Sequence, residues 1–288
     1  MCSPIFVRRF HDRPQQKSAC HYRRCFSSNE TNVPRGMKVD RGRTRGIVLA
    51  LPIAIVLLQM PGPRLNQGSL RDQLGALEGV VRLAGDVQVL PTRVANTTDP
   101  DACGRRHSLE DLVVSANDRG IQNVTVALLN VPADAWGATR PRARLEVDNR
   151  RCRFVPHVAV AVVGDTIVAK NSDPVLHTTH YYGPLRSNVA LPRQDMSVSR
   201  VVRQPGIIAV LCDVHGWMKA FIRVDDHGFH DVTDETGSFT VPDIPLGSYT
   251  VEFWHEKLGT QHIEIEVDSG ETTRVEVVYS LADSEIEQ

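Results

Sequence analysis

Aromatic residues are scarce in this 288-residue sequence, in which phenylalanine, tryptophan and tyrosine together account for 6%. Short runs rich in valine, isoleucine and threonine recur between clusters of glycine, proline, asparagine and aspartate. This pattern is typical of β-strands joined by turns, and no long helical pattern interrupts it. The length allows two compact domains, and 41% hydrophobic residues are enough for ordinary cores. We therefore predict an all-β protein.

Excess charge of one sign is also lacking. The formal net charge is −1, and acidic and basic residues are interspersed through the body of the chain. Proteins that bind nucleic acid usually carry a basic patch or stripe. Nucleic acid is therefore not an expected partner.

The N-terminal region contains an apolar run, from Ile47 to Leu58, that is too short to cross a bilayer comfortably and is interrupted by Pro52. It follows several basic residues that begin just after Met37, and a basic segment before a short apolar run is typical of a signal peptide. Residues 1–36 are arginine-rich and irregular. We predict a leader and linker over residues 1–76, translation from Met37, and export to the periplasm or the cell exterior. An uncleaved signal acting as a membrane anchor is the weaker alternative.

Cysteines are few, and without the leader an odd number remains: Cys103, Cys152 and Cys212. In an oxidising compartment two of them are expected to pair. Cys103 and Cys152 lie in similar arginine-flanked segments, so they are predicted to form a disulfide. Cys212 is then left as a free thiol.

The segment around Cys212 brings three possible metal ligands together. Residues 207–223 read as an apolar strand, a tight loop with Cys212, His215 and Met218, and a second strand. A thiolate, an imidazole and a weak thioether are the donors that select copper. One mononuclear copper ion is therefore the expected cofactor.

A trigonal site needs one more imidazole, and the stretch after the strand D-T-I-V-A-K-N supplies two. His177 is the preferred ligand and His180 is the alternative. Trp217 lies between two of the ligands in sequence, either as an exposed aromatic in a docking patch beside His215 or as an ordinary core or rim residue.

Two motifs resemble those of the cupredoxins, the type 1 blue copper family that includes plastocyanin and amicyanin. One is F-V-P-H-V followed by G-D-T-I-V-A-K-N-S-D and His177. The other is C-x-x-H-x-x-M, with a short amicyanin-like spacing. The resemblance covers about residues 143–224 and implies a Greek-key β-sandwich. The ligands it implies are His177, Cys212, His215 and, axially, Met218.

One residue departs from that family pattern. Cupredoxins usually have asparagine directly after the first histidine ligand, and this chain has Thr178. The hydrogen bond that braces the thiolate loop is therefore expected to differ.

The C-terminal segment D-E-T-G-S-F-T-V-P-D-I-P-L-G-S-Y-T-V-E-F-W-H resembles the carboxypeptidase regulatory-like, transthyretin-like sandwich, which is also seen in rhamnogalacturonan lyases. The predicted organisation is a copper domain with an N-terminal extension over residues 77–224, a second small β-sandwich over 225–281, and a tail over 282–288. Strands at 77–83 and 121–129 are interpreted as additions around the copper sandwich.

These features predict one-electron transfer rather than catalysis. A dinuclear copper centre needs a second cysteine near Cys212, and copper oxidases and nitrite reductases need further histidines near the ligand loop. The partner expected is a redox protein that the sequence does not name. Two alternatives stay open: a surface carbohydrate- or protein-binding protein with a structural metal site and a glycan or cell-surface contact through its C-terminal domain, or a non-redox periplasmic copper carrier.

Overall fold

The structure is a computed structural model, and it describes residues 74–85, 88–136 and 141–281. All of these residues belong to one compact unit. The predicted leader, the start at Met37, the signal-peptide segment and the tail over 282–288 lie outside them. Within the described ranges, no helix is long and apolar enough to cross a membrane.

The described residues form eighteen β-strands and one short helix, α1 (Pro100–Cys103). In chain order the strands are β1 (Leu74–Leu83), β2 (Arg93–Ala95), β3 (Arg106–Ser108), β4 (Thr125–Leu129), β5 (Arg144–Asn149), β6 (Phe154–Val155), β7 (Val158–Val162), β8 (Thr166–Asn171), β9 (His177–Tyr182), β10 (Ser187–Leu191), β11 (Ser197–Val201), β12 (Gly206–Leu211), β13 (Lys219–Asp225), β14 (His230–Val232), β15 (Ser238–Pro245), β16 (Gly247–His255), β17 (Gly259–Val267) and β18 (Thr272–Tyr279). The all-β prediction is confirmed.

The first sandwich consists of strands β5 to β13. One sheet has the order β10-β9-β12-β13-β7 and the other β11-β8-β5-β6. Alternate residues of these strands point into one shared apolar core, where Tyr181, Phe154 and Ile208 are almost fully buried. In β9 and β12 this alternation determines which side chains reach the interior and which face outwards.

The second sandwich pairs the sheets β15-β1-β18 and β14-β4-β16-β17. Strands β1 and β4 therefore belong to this sandwich, and their interpretation as additions around the copper sandwich was wrong. The reason is apolar complementarity: Leu77, Val81 and Val126 are fully buried in the same core as Val251 and Phe253. The sequence pattern identifies such strands but does not show which sheet they join.

The first sandwich is an insertion in the second. Strands β4 and β14 are hydrogen-bonded neighbours, and β5 to β13 lie between them in the chain. Ion pairs join the two sandwiches: His157 and Lys219 both contact the buried Glu256, and the buried Arg223 binds Glu252 with an Nη1–Oε1 distance of 2.5 Å. These contacts hold the inserted sandwich against its host.

His255, at the end of β16, is expected to make the free energy of unfolding fall at acidic pH. Burial lowers the pKa of His255 from 6.5 to about 4. As the pH falls from 7 to 5 the unfolded chain is protonated there before the folded protein, so this histidine removes about 2 kcal/mol of stability in that range. In His255→Asn an amide oxygen can still accept the Lys257 N–H that the His255 Nδ1 accepts at 3.1 Å. Urea unfolding at pH 7 and pH 5 should show a pH-dependent loss about 2 kcal/mol smaller in the variant, and equal losses would contradict the assignment.

Candidate metal centre

The loop over residues 212–218 joins strands β12 and β13 and carries three of the predicted ligands. The loop is closed by two backbone hydrogen bonds, from Cys212 N to Met218 O at 3.2 Å and from Met218 N to His215 O at 2.9 Å. Cys212, His215 and Met218 are all buried, with at most 4% exposure. The strand, turn and strand pattern in the sequence thus produces a compact ligand platform.

Strand pairing brings the fourth residue to the same place. Strand β9 runs antiparallel to β12, with His180 opposite Leu211, so the start of β9 lies beside the residue that follows β12. His177 is that first residue, and the buried Asn171 side chain donates to Val175 O at 2.9 Å to hold the loop that precedes it.

Strand alternation separates the two candidate histidines. His177, Thr179 and Tyr181 face the core, whereas His180 lies on the outer face of β9. There the His180 Nδ1 is 3.0 Å from Asp213 Oδ1. The structure therefore brings His177, not His180, to Cys212 and His215.

The three donor atoms have the spacing of a single metal site. Cys212 Sγ is 3.9 Å from His177 Nδ1 and 3.8 Å from His215 Nδ1, and the ligand atoms of the three residues all lie within 4.8 Å of one another. Metal bonds of about 2.0 Å to nitrogen and about 2.3 Å to sulfur, at about 120° to each other, give such separations. A second group, Cys152, Asp173 and His177, is no rival because Cys152 is in a disulfide.

Thr178 stands where asparagine was expected, and it forms its own hydrogen bonds to the loop that carries Cys212. Its backbone N–H points at Cys212 Sγ at 3.5 Å, and its Oγ1 accepts the Asp213 N–H at 2.7 Å. The loop is therefore braced at the residue after Cys212, and Thr178 directs two hydrogen-bond donors at the sulfur, its backbone N–H and its hydroxyl, the latter at 3.8 Å.

Each of the two histidines beside Cys212 is held by a carboxylate on the far side of its ring. His177 Nε2 is 3.0 Å from Asp173 Oδ2, and His215 Nε2 is 3.2 Å from Asp99 Oδ2. Carboxylates accept these Nε2–H protons, so each Nδ1 lone pair is directed towards Cys212.

Both imidazoles are held neutral. Burial lowers the pKa of His177, and His215 lowers it further, against the opposite effect of Asp173. Burial also lowers the pKa of His215, against the opposite effect of the hydrogen bond that it donates to Asp99. Neutral imidazole is the form that binds a metal ion.

A segment from the N-terminal extension covers His215, which has no exposed surface. Cys103 and Cys152 are joined in a disulfide, and Cys103 Sγ lies 3.6 Å from His215 Nε2. Trp217 is half-buried, donates from Nε1 to Cys152 O at 3.0 Å and stacks on His107 with ring centroids 4.3 Å apart. Trp217 is therefore a packed rim residue rather than an open docking patch.

The sequence did not identify Asp99 and Asp173 as partners of the two histidines, or the stacking of His107 on Trp217. Asp173 lies four residues before His177, a local spacing that can reveal a partner. Asp99 is separated from His215 by 116 residues and lies in a stretch that resembles an ordinary polar loop, so no sequence signal marks it. In the sequence His107 has no nearby partner, because Trp217, on which it stacks, lies in the loop between β12 and β13.

No protein-family model and no curated protein matches this sequence. Among solved structures, the Cu(I) form of a methionine-to-alanine mutant of amicyanin is 16% identical over 34% of this chain and 97% of its own, with a TM-score of 0.25. A purple cupredoxin from Nitrosopumilus maritimus is 19% identical over 28% of this chain and 98% of its own, also at 0.25.

A third similar structure is a Cu-containing nitrite reductase from Thermus scotoductus SA-01. It is 22% identical over 32% of this chain, with a TM-score of 0.26. This chain spans about a quarter of that enzyme, since 26% of it is covered. The structures similar to one part of the chain are thus cupredoxins and a copper enzyme, and no residue role is taken from them.

Proposed function

We propose that this protein is an exported mononuclear copper protein of the type 1 kind that carries single electrons. The observation that carries the proposal is the buried group of His177 Nδ1, Cys212 Sγ and His215 Nδ1, with Met218 buried at the end of the same loop. Two imidazoles and a thiolate with a weak thioether suit copper, whereas structural zinc is usually held by four cysteine or histidine ligands. Bound copper would supply the one-electron couple.

The chain's own residues keep the ligands in place whichever oxidation state is present. Asp173 and Asp99 fix the two rings, and Thr178 braces the thiolate loop. Ligands held in this way have little freedom to rearrange, because their hydrogen-bond partners are themselves anchored. Thr178 belongs to strand β9, Asp99 precedes the disulfide-bonded helix α1, and Asp173 accepts the backbone N–H groups of Arg151 and Cys152. Little rearrangement favours rapid electron exchange.

The visible spectrum of the protein loaded with Cu(II) tests the proposal. An intense thiolate-to-copper band that disappears on reduction and returns on reoxidation supports electron transfer. If the protein binds copper or zinc but remains colourless, the result contradicts the proposal and favours a structural metal site or a copper carrier. Titration with Zn²⁺ and Cu²⁺ in parallel separates those two alternatives.

Asp99 is expected to tune the reduction potential. Its carboxylate is bonded to His215 Nε2 and is 41% exposed, so solvent screens much of its charge. Removing the charge in Asp99→Asn disfavours the more positive oxidised state, and an effect of about 1 kcal/mol corresponds to a rise of roughly 40 mV. Asp101→Asn, an equal charge change on the exposed side of α1, serves as the control. Equal potentials for the two variants, measured by redox titration, would contradict the role of Asp99.

A further inference from the structure

A cleft of about 620 Å³ lies beside the disulfide and is lined mainly by basic residues. Its cationic character has a simple origin in the sequence, because both cysteines are flanked by arginines. Closing the disulfide gathers these side chains from two distant segments. Four arginines line the cleft: Arg106, Arg150, Arg151 and Arg153.

The positive charge of this cleft is largely uncompensated. Glu110, the acidic residue of the lining, pairs with Arg153 at 2.8 Å. Arg106, Arg150 and Arg151 are exposed and form no ion pair with the described residues. Like charges in a concave surface repel one another and create a strong positive potential there. An anion bound in the cleft would relieve this repulsion.

His107 forms part of the wall and has a buried nitrogen without a partner. The residue is 6% exposed, and its Nε2 forms no hydrogen bond within the described chain. Burial lowers the pKa of His107, with further lowering by Arg153 and His215, so the ring is neutral. Buried polar atoms are usually hydrogen-bonded. An unpartnered nitrogen beside a cationic cleft therefore indicates a ligand atom that the protein does not supply.

We propose that this cleft binds a small multivalent oxyanion, a phosphate or a polycarboxylate, through Arg106, Arg150 and Arg151. Guanidinium groups match such anions because each presents two parallel N–H donors to two oxygen atoms. The concave shape and the recessed His107 favour a small anion over the flat acidic surface of a protein. Exposed arginines can extend towards the ligand without disturbing the core.

Two short chains of contacts connect the cleft to the metal ligands. On one side His107 stacks on Trp217, whose ring lies 5.0 Å from that of His215. On the other side the backbone N–H groups of Arg151 and Cys152 donate to Asp173 at 2.7 Å each, and Asp173 binds His177. A bound anion is therefore expected to stabilise the oxidised site and lower its potential, a consequence that rests on the proposed function.

Calorimetric titration of the full-length protein as purified, with inorganic phosphate and with citrate at constant ionic strength, tests the site. One anion is expected to bind per chain. The double variant Arg106→Gln, Arg150→Gln should weaken binding by about 100-fold, about tenfold for each lost charged contact. Arg203→Gln, an exposed arginine outside the cleft, is the charge control and should bind as the wild type does.

Absence of binding by both anions would overturn the site, as would equal weakening by Arg203→Gln. Binding of a polyglutamate peptide without binding of either small anion would also overturn it, because the ligand would then be an acidic protein surface. Calorimetry does not depend on the nature of the metal, so the site stands or falls separately from the copper assignment. A phosphate-dependent fall in potential that the double variant lacks supports the link to the metal centre, and binding without a fall contradicts it.

Discussion

Cys212→Ser is expected to abolish the intense visible band of the Cu(II)-loaded protein and to weaken copper binding by more than about 100-fold. Cys212 is the only free cysteine among the described residues, and its sulfur lies 3.9 Å from His177 Nδ1 and 3.8 Å from His215 Nδ1. A serine hydroxyl does not ionise at neutral pH and is a harder donor, so it replaces neither the charge nor the covalency of the thiolate. Loss of even an outer partner of a metal ligand typically costs 10- to 100-fold. Absorption spectroscopy and competition with a chelator measure both effects.

The control is the double variant Cys103→Ser, Cys152→Ser. In the wild type these two sulfur atoms lie beside the site but belong to the disulfide, whose cysteines are 49 residues apart. Opening a loop of that length is expected to cost about 4 kcal/mol of stability. The band should nevertheless persist at a temperature where the variant is folded. A band that survives in Cys212→Ser, or vanishes in the disulfide variant, would show that the wrong sulfur has been assigned.

His177→Ala is expected to weaken copper binding by at least about 100-fold and His180→Ala to leave it nearly unchanged. The two side chains lie three residues apart on β9 and therefore on opposite faces of the sheet. His177 is fully buried beside Cys212, whereas His180 lies outside with Asp213 and Tyr182. Each variant removes one imidazole from the same strand, so each controls for the other. The reverse order of affinities would replace His177 by His180 in the ligand set.

Short spacing along the chain explains why the candidate metal-binding loop could be predicted from the sequence. Cys212, His215 and Met218 lie within one short loop between two apolar strands, so their proximity follows from chain connectivity alone. His177 required one further assumption, that β9 and β12 are neighbours, and their pairing shows that they are.

Contacts between segments that are distant in the sequence could not be predicted from such local patterns. Asp99 meets His215 because α1 and the disulfide fold back over the ligand loop. The sequence patterns of β1 and β4 indicate strands, and only the complete set of apolar faces decides that they pair with the C-terminal strands. Local spacing carries information about local neighbours, whereas partners across sheets are selected by packing.

The insertion of the first sandwich between β4 and β14 has a consequence for the order of folding. Strands β5 to β13 form a continuous stretch of chain with its own core, so this sandwich can fold as soon as it has left the ribosome. Strand β1 finds its partners β15 and β18 only when almost the whole chain has been delivered. Closure of the host sandwich is therefore the late, slow step, because its contacts span the greatest distance along the sequence. The candidate metal-binding residues are therefore expected to come together before β1 pairs with β15 and β18.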